Sequence, residues 1–217
     1  MESLFAIGNG YVGSRGSLAE GSPLSAPATF VAGVFNSDAG SVPGLARLAD
    51  WTRLSLTVNG DPVRLNHGQN LQHRRILDMR QGMFWREWRH QDRGGRVTRL
   101  TEVRLASLAD RHVLLQSIAL TAENYSGTVT IDATTSGPLT LTTDRGIIVA
   151  MAVRTRRADC KGNGTGSTEL PDHPVSTEIR LGETCRLDRV VAICTSREGK
   201  RRAPRSSRPS SVGRGAP

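Results

Sequence analysis

The chain has 217 residues, of which 37% are hydrophobic and 4% aromatic, enough to bury the core of one large domain or two small ones. No apolar run approaches the ~20 residues of a membrane span, and the N-terminus lacks the basic and apolar regions of a signal peptide. The net charge is +9, but residues 197–217 hold seven basic residues and one acid, so the body is nearly balanced and a nucleic-acid-binding surface is not indicated.

The first motif in the chain is GNGYVG, residues Gly8–Gly13, which matches the dinucleotide fingerprint G-x-G-x-x-G. The preceding SLFAI could be a strand, and the apolar run TFVAGVF ends near Asp38, an acid that could bind a ribose. The fingerprint binds pyrophosphate only when a helix follows it. The next sixteen residues contain Gly16, Gly21, Pro23 and Pro27. Because such a segment cannot form the required helix, we expect neither NAD nor ATP to bind here.

Strand-like segments alternate with turn signals along the rest of the body. In residues 51–58, Leu54, Leu56 and Val58 lie on one face with a period of two, and Asn59-Gly60 then predicts a tight hairpin. RVTRLTEVRL also fits helical spacing, but its β-branched content and the preceding QDRGG loop favour a strand. Further strands are predicted in HRRILDM, MFWREWRH, HVLLQSIALTA, TVTIDATT, LTLTT, IIVAMAVRT, STEIRL and CRLDRVVAICTS, and a loop in KGNGTGSTELPDHP. Many short strands separated by turns predict an all-β sandwich or barrel.

The C-terminal segment, residues 199–217, differs sharply in composition from residues 1–198. It is dominated by Arg, Pro, Ser, Gly and Ala, and it cannot bury enough apolar surface to offset its chain entropy. We therefore predict a disordered tail. Such a basic tail can bind nucleic acid or a membrane surface, and the alternative is a frameshifted or truncated reading frame.

No catalytic residue, metal ligand or cofactor site can be assigned from the residue pattern. The acids are scattered, and nothing places two of them about 5 to 10 Å apart, as a glycosidase requires. The five histidines, His67, His73, His90, His112 and His173, have no metal-ligand spacing. Cys160, Cys185 and Cys194 form no C-x-x-C pair, which indicates a reducing compartment, and we expect a cytoplasmic location.

Three tryptophans, Trp51, Trp85 and Trp88, are candidates for stacking on sugar rings. Tryptophan in a strand more often belongs to the core, so both interpretations stay open at this point.

Several stretches together resemble one known family. ESLFAIGNGYVGSRG resembles the N-terminal signature of glycoside hydrolase family 65, which includes maltose, trehalose and kojibiose phosphorylases and related hydrolases. The similarity continues in consistent order over roughly residues 2–198, through FVAGVF, VPGLARLADWTRLSLTVNGDPVRL, RRILDMRQGMFWREW, SLADRH, ENYSG and LDRVVAICTSRE.

The resemblance implies a large antiparallel β-sandwich followed, in the family, by an α/α barrel that holds the general-acid glutamate and the phosphate-binding residues. These 217 residues do not include that barrel, so we expect no catalysis by the chain alone. In the family, GNGYVGSRG would be a structural motif near the domain interface. Gly8, Asn9, Gly10, Tyr11 and Arg15 are therefore candidate domain-interface or substrate-proximal residues.

The partners implied by the resemblance are the barrel of the same gene, and an α-linked disaccharide and phosphate in the full-length enzymes. A homodimer is a further option, whereas a membrane and nucleic acid are not expected. Relatives usually carry a strand-forming segment before ESLF and a linker helix after CTSRE, so we expect a fragment of a longer gene. An apolar face and an open sheet edge would then make the isolated domain prone to self-association.

Two other functions remain as alternatives: a free-standing carbohydrate-binding β-sandwich and, less favoured, a nucleic-acid binder acting through its basic tail. An exposed shelf of tryptophans would favour the carbohydrate module. Buried tryptophans and a large apolar surface would favour a domain that packs against a partner domain. Nucleic-acid binding would weaken steeply with salt and would require residues 199–217.

Overall fold

The computed structural model describes residues 2–37, 42–135, 139–158 and 167–199. The helical segments are a 3₁₀ turn at Glu2–Phe5 and the short helix α1 at Ser196–Gly199. The strands are β1 (Ile7–Gly8), β2 (Val12–Ser14), β3 (Thr29–Val31), β4 (Phe35–Asn36), β5 (Gly44–Leu45), β6 (Ser55–Val58), β7 (Asp61–Pro62), β8 (Gln69–Asp78), β9 (Met83–Gln91), β10 (Val97–Ala106), β11 (Val113–Ala122), β12 (Gly127–Asp132), β13 (Thr140–Thr142), β14 (Ile148–Ala158), β15 (Ser167–Glu169), β16 (Val175–Ile179) and β17 (Thr184–Thr195).

The strands form two antiparallel layers. One layer is an eight-stranded sheet in the order β13-β14-β17-β11-β10-β9-β8, with β15 pairing β14. The other layer consists of a four-stranded sheet, β16-β12-β6-β7, and a three-stranded sheet, β1-β2-β3, while β4 and β5 form a separate ribbon. This arrangement confirms the prediction of an all-β, antiparallel sandwich.

The interior contains two hydrophobic clusters, one at each end of the large sheet. In the first, Leu56 and Val129 of the four-stranded sheet pack with Ile118 and Leu187 of the large sheet. In the second, residues of the three-stranded sheet, including Val12 and Val31, pack with Leu114 and Val191 of the large sheet. Each small sheet therefore covers its own part of the large sheet.

A layer of buried polar side chains separates the two clusters; we call it the buried charge layer. Its members project inward from the central strands β9, β10, β11 and β17, and they are Arg86, Glu102, Arg104, Gln116 and Arg189. The register places them together, since Arg86 pairs with Glu102 across β9 and β10, and Gln116 lies between Arg104 and Arg189. Buried charges are tolerated only when they are paired and hydrogen-bonded.

The buried charge layer holds connecting segments of the opposite layer. Arg86 makes two hydrogen bonds of 2.7 Å to the Glu20 carboxylate, and Arg104 donates to the Ser17 carbonyl at 2.8 Å. Arg189 donates to the carbonyls of Trp51, at 2.5 Å, and Arg53, at 2.8 Å. The segments around residues 17–20 and 51–53 are thus attached to the large sheet by arginines rather than by backbone pairing.

Most local predictions are confirmed, including the hairpin at Asn59-Gly60. Both residues adopt positive φ, 48° and 87°, and β6 pairs β7 across them, as expected for a turn whose twist matches its strands. The ambiguous segment RVTRLTEVRL forms strand β10, with alternating burial along most of its length. The predicted loop before residue 175 contains one short edge strand, β15, which pairs with β14.

The prediction of a strand in SLFAI was wrong. The segment Glu2–Phe5 forms a 3₁₀ turn, and β1 begins only at Ile7. Local hydrogen bonding explains the difference, because the Glu2 carboxylate accepts from the Ser25 hydroxyl at 2.5 Å and from the Ala26 amide at 3.1 Å. The Glu2 carbonyl also accepts from the Gly16 amide at 3.0 Å.

Three predictions fall outside the described residues: the ribose-binding role of Asp38, the thiol of Cys160 and the tail beyond residue 199. They stay predictions. In the part of the chain that the structure describes, no helix has the length and apolarity needed to cross a membrane.

Candidate functional site

The GNGYVG motif forms the β1–β2 hairpin, and Asn9 organises it. The Asn9 side-chain oxygen accepts from the amides of Tyr11 and Val12, at 3.1 and 3.0 Å. Its side-chain nitrogen donates to the carbonyls of Ser107 and Arg111, at 2.7 and 3.0 Å. One side chain therefore both closes the turn and docks the hairpin on the loop between β10 and β11.

No helix follows the motif before β3, since residues 15–28 form turns and extended chain. The anion-binding helix terminus that the dinucleotide fingerprint requires is therefore missing, which agrees with the sequence-based argument. The glycines have local roles instead. Gly10 adopts a φ of 84° at the turn, and a Cβ on Gly16 would lie 2.4 Å from the Cβ of Phe5.

Arg15, the last candidate of the motif, holds neighbouring chain in place. Its guanidinium donates to the Ala26 carbonyl at 3.2 Å and to the Ser3 hydroxyl at 3.1 Å. Arg15 thus links the 3₁₀ turn with the segment that precedes β3.

Tyr11 points away from the turn into a group of chemically active side chains. This group, which we call the Tyr11 cluster, comprises Tyr11, Arg111, His112, Cys194 and Glu198. The Tyr11 ring lies edge-on to His112, with centroids 4.7 Å apart, and the Arg111 guanidinium lies 4.9 Å from the Tyr11 ring centre. The ligand atoms of His112, Cys194 and Glu198 all lie within 4.8 Å of one another.

Burial and negative charge dominate the electrostatics of the Tyr11 cluster. Burial raises the pKa of Tyr11 to about 12; a hydrogen bond to Thr195 opposes this shift, while Glu198 and the charge of Cys194 add to it. Burial also raises the pKa of the Cys194 thiol, again with a contribution from Glu198 and from Asp110. Both groups are therefore protonated at neutral pH in the chain alone.

The structure separates the three tryptophans. Trp51 and Trp88 are 0% and 2% exposed, and their indole N–H groups donate to the Ser14 hydroxyl at 3.1 Å and to the Asn70 side chain at 2.9 Å. A sugar ring has no access to either face. Trp85 lies on the opposite side of β9, half-buried, with the Arg74 guanidinium 5.5 Å from its ring centre.

The outer face of the large sheet is apolar at its centre; we define it by Trp85, Val103, Leu105, Leu115 and Val190. These residues alternate with the inward-facing core residues of β9, β10, β11 and β17. A shallow depression of about 550 Å³ lies over β10, β11 and β17 on this side. Among the described residues no second layer covers this face.

Another depression, of about 670 Å³, lies beside β14 and β15 and is lined by polar residues such as Arg154, Glu169 and Asp172 together with apolar residues such as Leu139 and Val153. Its described lining contains no aromatic side chain, so it offers no stacking platform for a sugar.

Sequence reasoning missed the Tyr11 cluster because its members lie far apart in the chain. His112 and Cys194 are 82 positions apart in the sequence. The pairing of Val113 with Ala192 across β11 and β17 brings them together. The tryptophans, in contrast, were visible from sequence, but only the structure shows which of them are buried.

The architecture defines an antiparallel β-sandwich domain, without a nucleotide-binding βαβ unit in the described part of the chain. The chain belongs to the family described as glycosyl hydrolase family 65, N-terminal domain, whose profile matches residues 1–141.

Curated relatives include two kojibiose phosphorylases. The one from Caldanaerobacter subterraneus subsp. tengcongensis is 31% identical over 86% of this chain and 24% of the relative. That of Thermoanaerobacter brockii is 35% identical over 63% of this chain and 18% of the relative. An uncharacterized glycosyl hydrolase of Mycobacterium tuberculosis is 28% identical over 91% of this chain and 18% of the relative. The chain thus spans a quarter or less of the length of each of these relatives.

A solved structure from the human microbiome, proposed to be a kojibiose phosphorylase, shares the fold, with a TM-score of 0.67 at 15% identity. The match covers 91% of this chain and 31% of that structure. The sandwich is therefore shared with one part of a larger molecule.

Proposed function

We propose that this chain is the non-catalytic N-terminal β-sandwich domain of an α-glucoside phosphorylase or hydrolase acting on disaccharides such as kojibiose, maltose or trehalose. The observation that carries the proposal is the collinear similarity to kojibiose phosphorylase, which extends over 86% of this chain but only 24% of that enzyme. Catalysis would belong to the α/α barrel of the family, which is also the principal expected partner.

The burial of the large side chains favours one of the two alternatives: a domain that packs against another domain, rather than a free-standing carbohydrate-binding module. Trp51 and Trp88 are buried, so two of the three aromatic rings cannot form a sugar-binding shelf. The outer face of the large sheet, in contrast, carries half-buried Val103, Leu105 and Leu115 beside exposed Val190. Contiguous apolar surfaces of this kind are typical of interfaces between proteins or domains.

The first test is activity of the purified chain. We expect no glucose release from kojibiose, maltose or trehalose above a heat-killed control, with or without inorganic phosphate. Turnover that co-purifies with the chain and disappears on its specific removal would contradict the proposal.

The second test is a chimera in which residues 1–198 replace the N-terminal domain of the Caldanaerobacter subterraneus kojibiose phosphorylase. We expect a soluble protein that retains phosphate-dependent cleavage of kojibiose. The matched control is the same enzyme with the domain deleted, which we expect to be insoluble or inactive. A chimera that behaves like the deletion would count against the assignment.

A further inference from the structure

The Tyr11 cluster contains three side chains of the types that bind transition metals. Cysteine thiolate, imidazole nitrogen and carboxylate oxygen are the protein ligands of Zn²⁺. His112, Cys194 and Glu198 contribute one of each, and their ligand atoms lie within 4.8 Å of one another. Zinc held at about 2.0–2.3 Å from each ligand would place these atoms roughly 3.3–3.7 Å apart, so the cluster has to contract by about 1 Å.

His112 is already oriented as a metal ligand. Its Nδ1 lies 3.0 Å from the Ile193 carbonyl, which can only accept, so the neutral ring carries its proton on Nδ1. The lone pair is therefore on Nε2, which lies 3.8 Å from Glu198 Oε1. A backbone carbonyl that fixes the histidine tautomer in this way is a recurring partner of metal-bound imidazole. The backbone strengthens this orientation, because the Ile193 amide donates to the His112 carbonyl at 2.9 Å.

Glu198 and Cys194 are held near His112 by the end of β17 and the start of α1. The Thr195 amide donates to Glu198 Oε2 at 3.3 Å, which leaves Oε1 directed toward His112 and Arg111. Cys194 is exposed and its thiol is free.

The Tyr11 hydroxyl faces the other side chains of the cluster. Its oxygen is fully covered, and no hydrogen bond to it has ordinary geometry among the described residues, although Thr195 and Glu198 lie near enough to act on its pKa as hydrogen-bonding groups. A buried polar group without a well-formed hydrogen bond calls for an explanation. A water in the fourth position of a three-ligand zinc site could accept a hydrogen bond from this hydroxyl.

Arg111 is the group that zinc has to displace. Its guanidinium lies 3.2 Å from Glu198 Oε1 and 3.5 Å from His112 Nε2. The Arg111 side chain is 61% exposed, so it can turn into solvent without losing a buried environment.

We propose that His112, Cys194 and Glu198 bind one Zn²⁺ ion through one nitrogen, one sulfur and one oxygen atom. The fourth position holds water, hydrogen-bonded to Tyr11. The ion joins the β10–β11 loop, the end of β17, the short helix α1 and, through the water and Tyr11, the GNGYVG hairpin. The proposal is independent of the proposed catalytic partner.

The experiment uses the full 217-residue chain without a polyhistidine tag, titrated with zinc chloride against a chromophoric chelator. We expect one zinc per chain, bound with a dissociation constant below about 10 µM. Cys194→Ser and Glu198→Gln should each weaken binding by at least about tenfold. Arg111→Ala should tighten it, which a purely structural role of these residues would not produce.

Two matched controls remove the same atom types elsewhere in the chain. Cys160→Ser and His173→Ala should leave the affinity unchanged. Cobalt(II) should give a sulfur-to-metal charge-transfer absorption that Cys194→Ser abolishes, while circular dichroism shows that the variant stays folded. Absence of one-to-one binding, or binding that Cys194→Ser leaves unchanged, would overturn the proposal.

Discussion

Replacing Glu102 by alanine tests whether the buried charge layer stabilises the sandwich. Glu102 is 4% exposed, and its Oε1 accepts from Arg104 Nε at 2.5 Å and from Gln116 Nε2 at 2.6 Å. Its other oxygen lies 3.8 Å from Arg86. Burial alone would raise the pKa of Glu102, but the charges of Arg104 and Arg86 hold it below its usual range, so the carboxylate is ionised at neutral pH.

The expected cost of Glu102→Ala is large because Arg104 loses its counter-ion while it remains buried. Removing one partner of a buried pair costs about 3–5 kcal/mol. Few other groups could stabilise the buried charge of Arg104 after this change. Its remaining hydrogen bond goes to the Ser17 carbonyl, and its Nη2 already lacks a partner in the described structure. The matched control is Glu123→Ala, which breaks the more exposed pair with Arg89, at 40% and 23% side-chain exposure, and should cost far less because solvent screens exposed ion pairs.

The assay is urea unfolding of the full chain, followed by far-ultraviolet circular dichroism and by tryptophan fluorescence. Coincident transitions would justify two-state treatment. With a slope of about 2–3 kcal/mol per molar urea, the loss of about 3–5 kcal/mol moves the midpoint by roughly 1–2.5 M. Glu102→Gln keeps an acceptor without the charge and should fall between the two alanine variants. If Glu102→Ala shifts the midpoint no more than Glu123→Ala, the charge layer does not stabilise the fold as argued.

Three further predictions concern the hairpin motif, the pH dependence and the outer face. Gly16→Ala should destabilise the chain by about 1–3 kcal/mol, because the added Cβ would lie 2.4 Å from the Cβ of Phe5. Gly13→Ala is the control: its nearest neighbour is 3.8 Å away, so the free energy of unfolding should change by at most about 0.5 kcal/mol. Urea unfolding of both variants measures the difference. Burial and nearby arginines lower the pKa of His73 from 6.5 to about 4 in the folded chain. As the pH falls from 6.5 to 4, the unfolded chain therefore takes up a proton that the folded chain does not, and the free energy of unfolding should decrease. If a His73→Gln variant loses stability equally steeply over this pH range, His73 is not the cause. After deletion of residues 199–217 the chain should self-associate at micromolar concentration through its apolar outer face, and Leu115→Lys should reduce light scattering; a monodisperse parent would refute the argument.

The strand content was predictable because most strands carry a strong local signal. The segments that form β10, β11 and β17 are rich in β-branched and apolar residues and lie between turn signals, which was enough to predict strands. The sequence did not show which face of β10 is buried, because Glu102 and Arg104 point inward. The Asn59-Gly60 turn likewise acts through its own two residues, whose positive φ values match the hairpin.

The buried charge layer could not be predicted, because the sequence of β9 does not show which face of the strand is buried. The inward positions hold Phe84, Arg86 and Trp88, while the outward positions include Met83 and Trp85. Aromatic residues occupy both faces, and the arginine lies on the buried one, so a rule that places charge outside predicts the wrong orientation. Only the pairing with β10, which sets Glu102 opposite Arg86, explains why an arginine is tolerated there.

The Tyr11 cluster shows the same limit for sites. A search of the sequence by ligand spacing identifies metal sites whose ligands lie on one turn or one loop. His112 and Cys194, in contrast, lie close together only because β11 and β17 pair in one particular register. A shift of that register by one residue would turn Cys194 to the other face of the sheet and remove the site. The fingerprint GNGYVG failed in the opposite way, since its letters match a nucleotide motif while Asn9 and Gly10 shape the turn of a hairpin. Sequence therefore predicts a site when the local chain creates it. Where long-range pairing creates it, the pairing has to be known first.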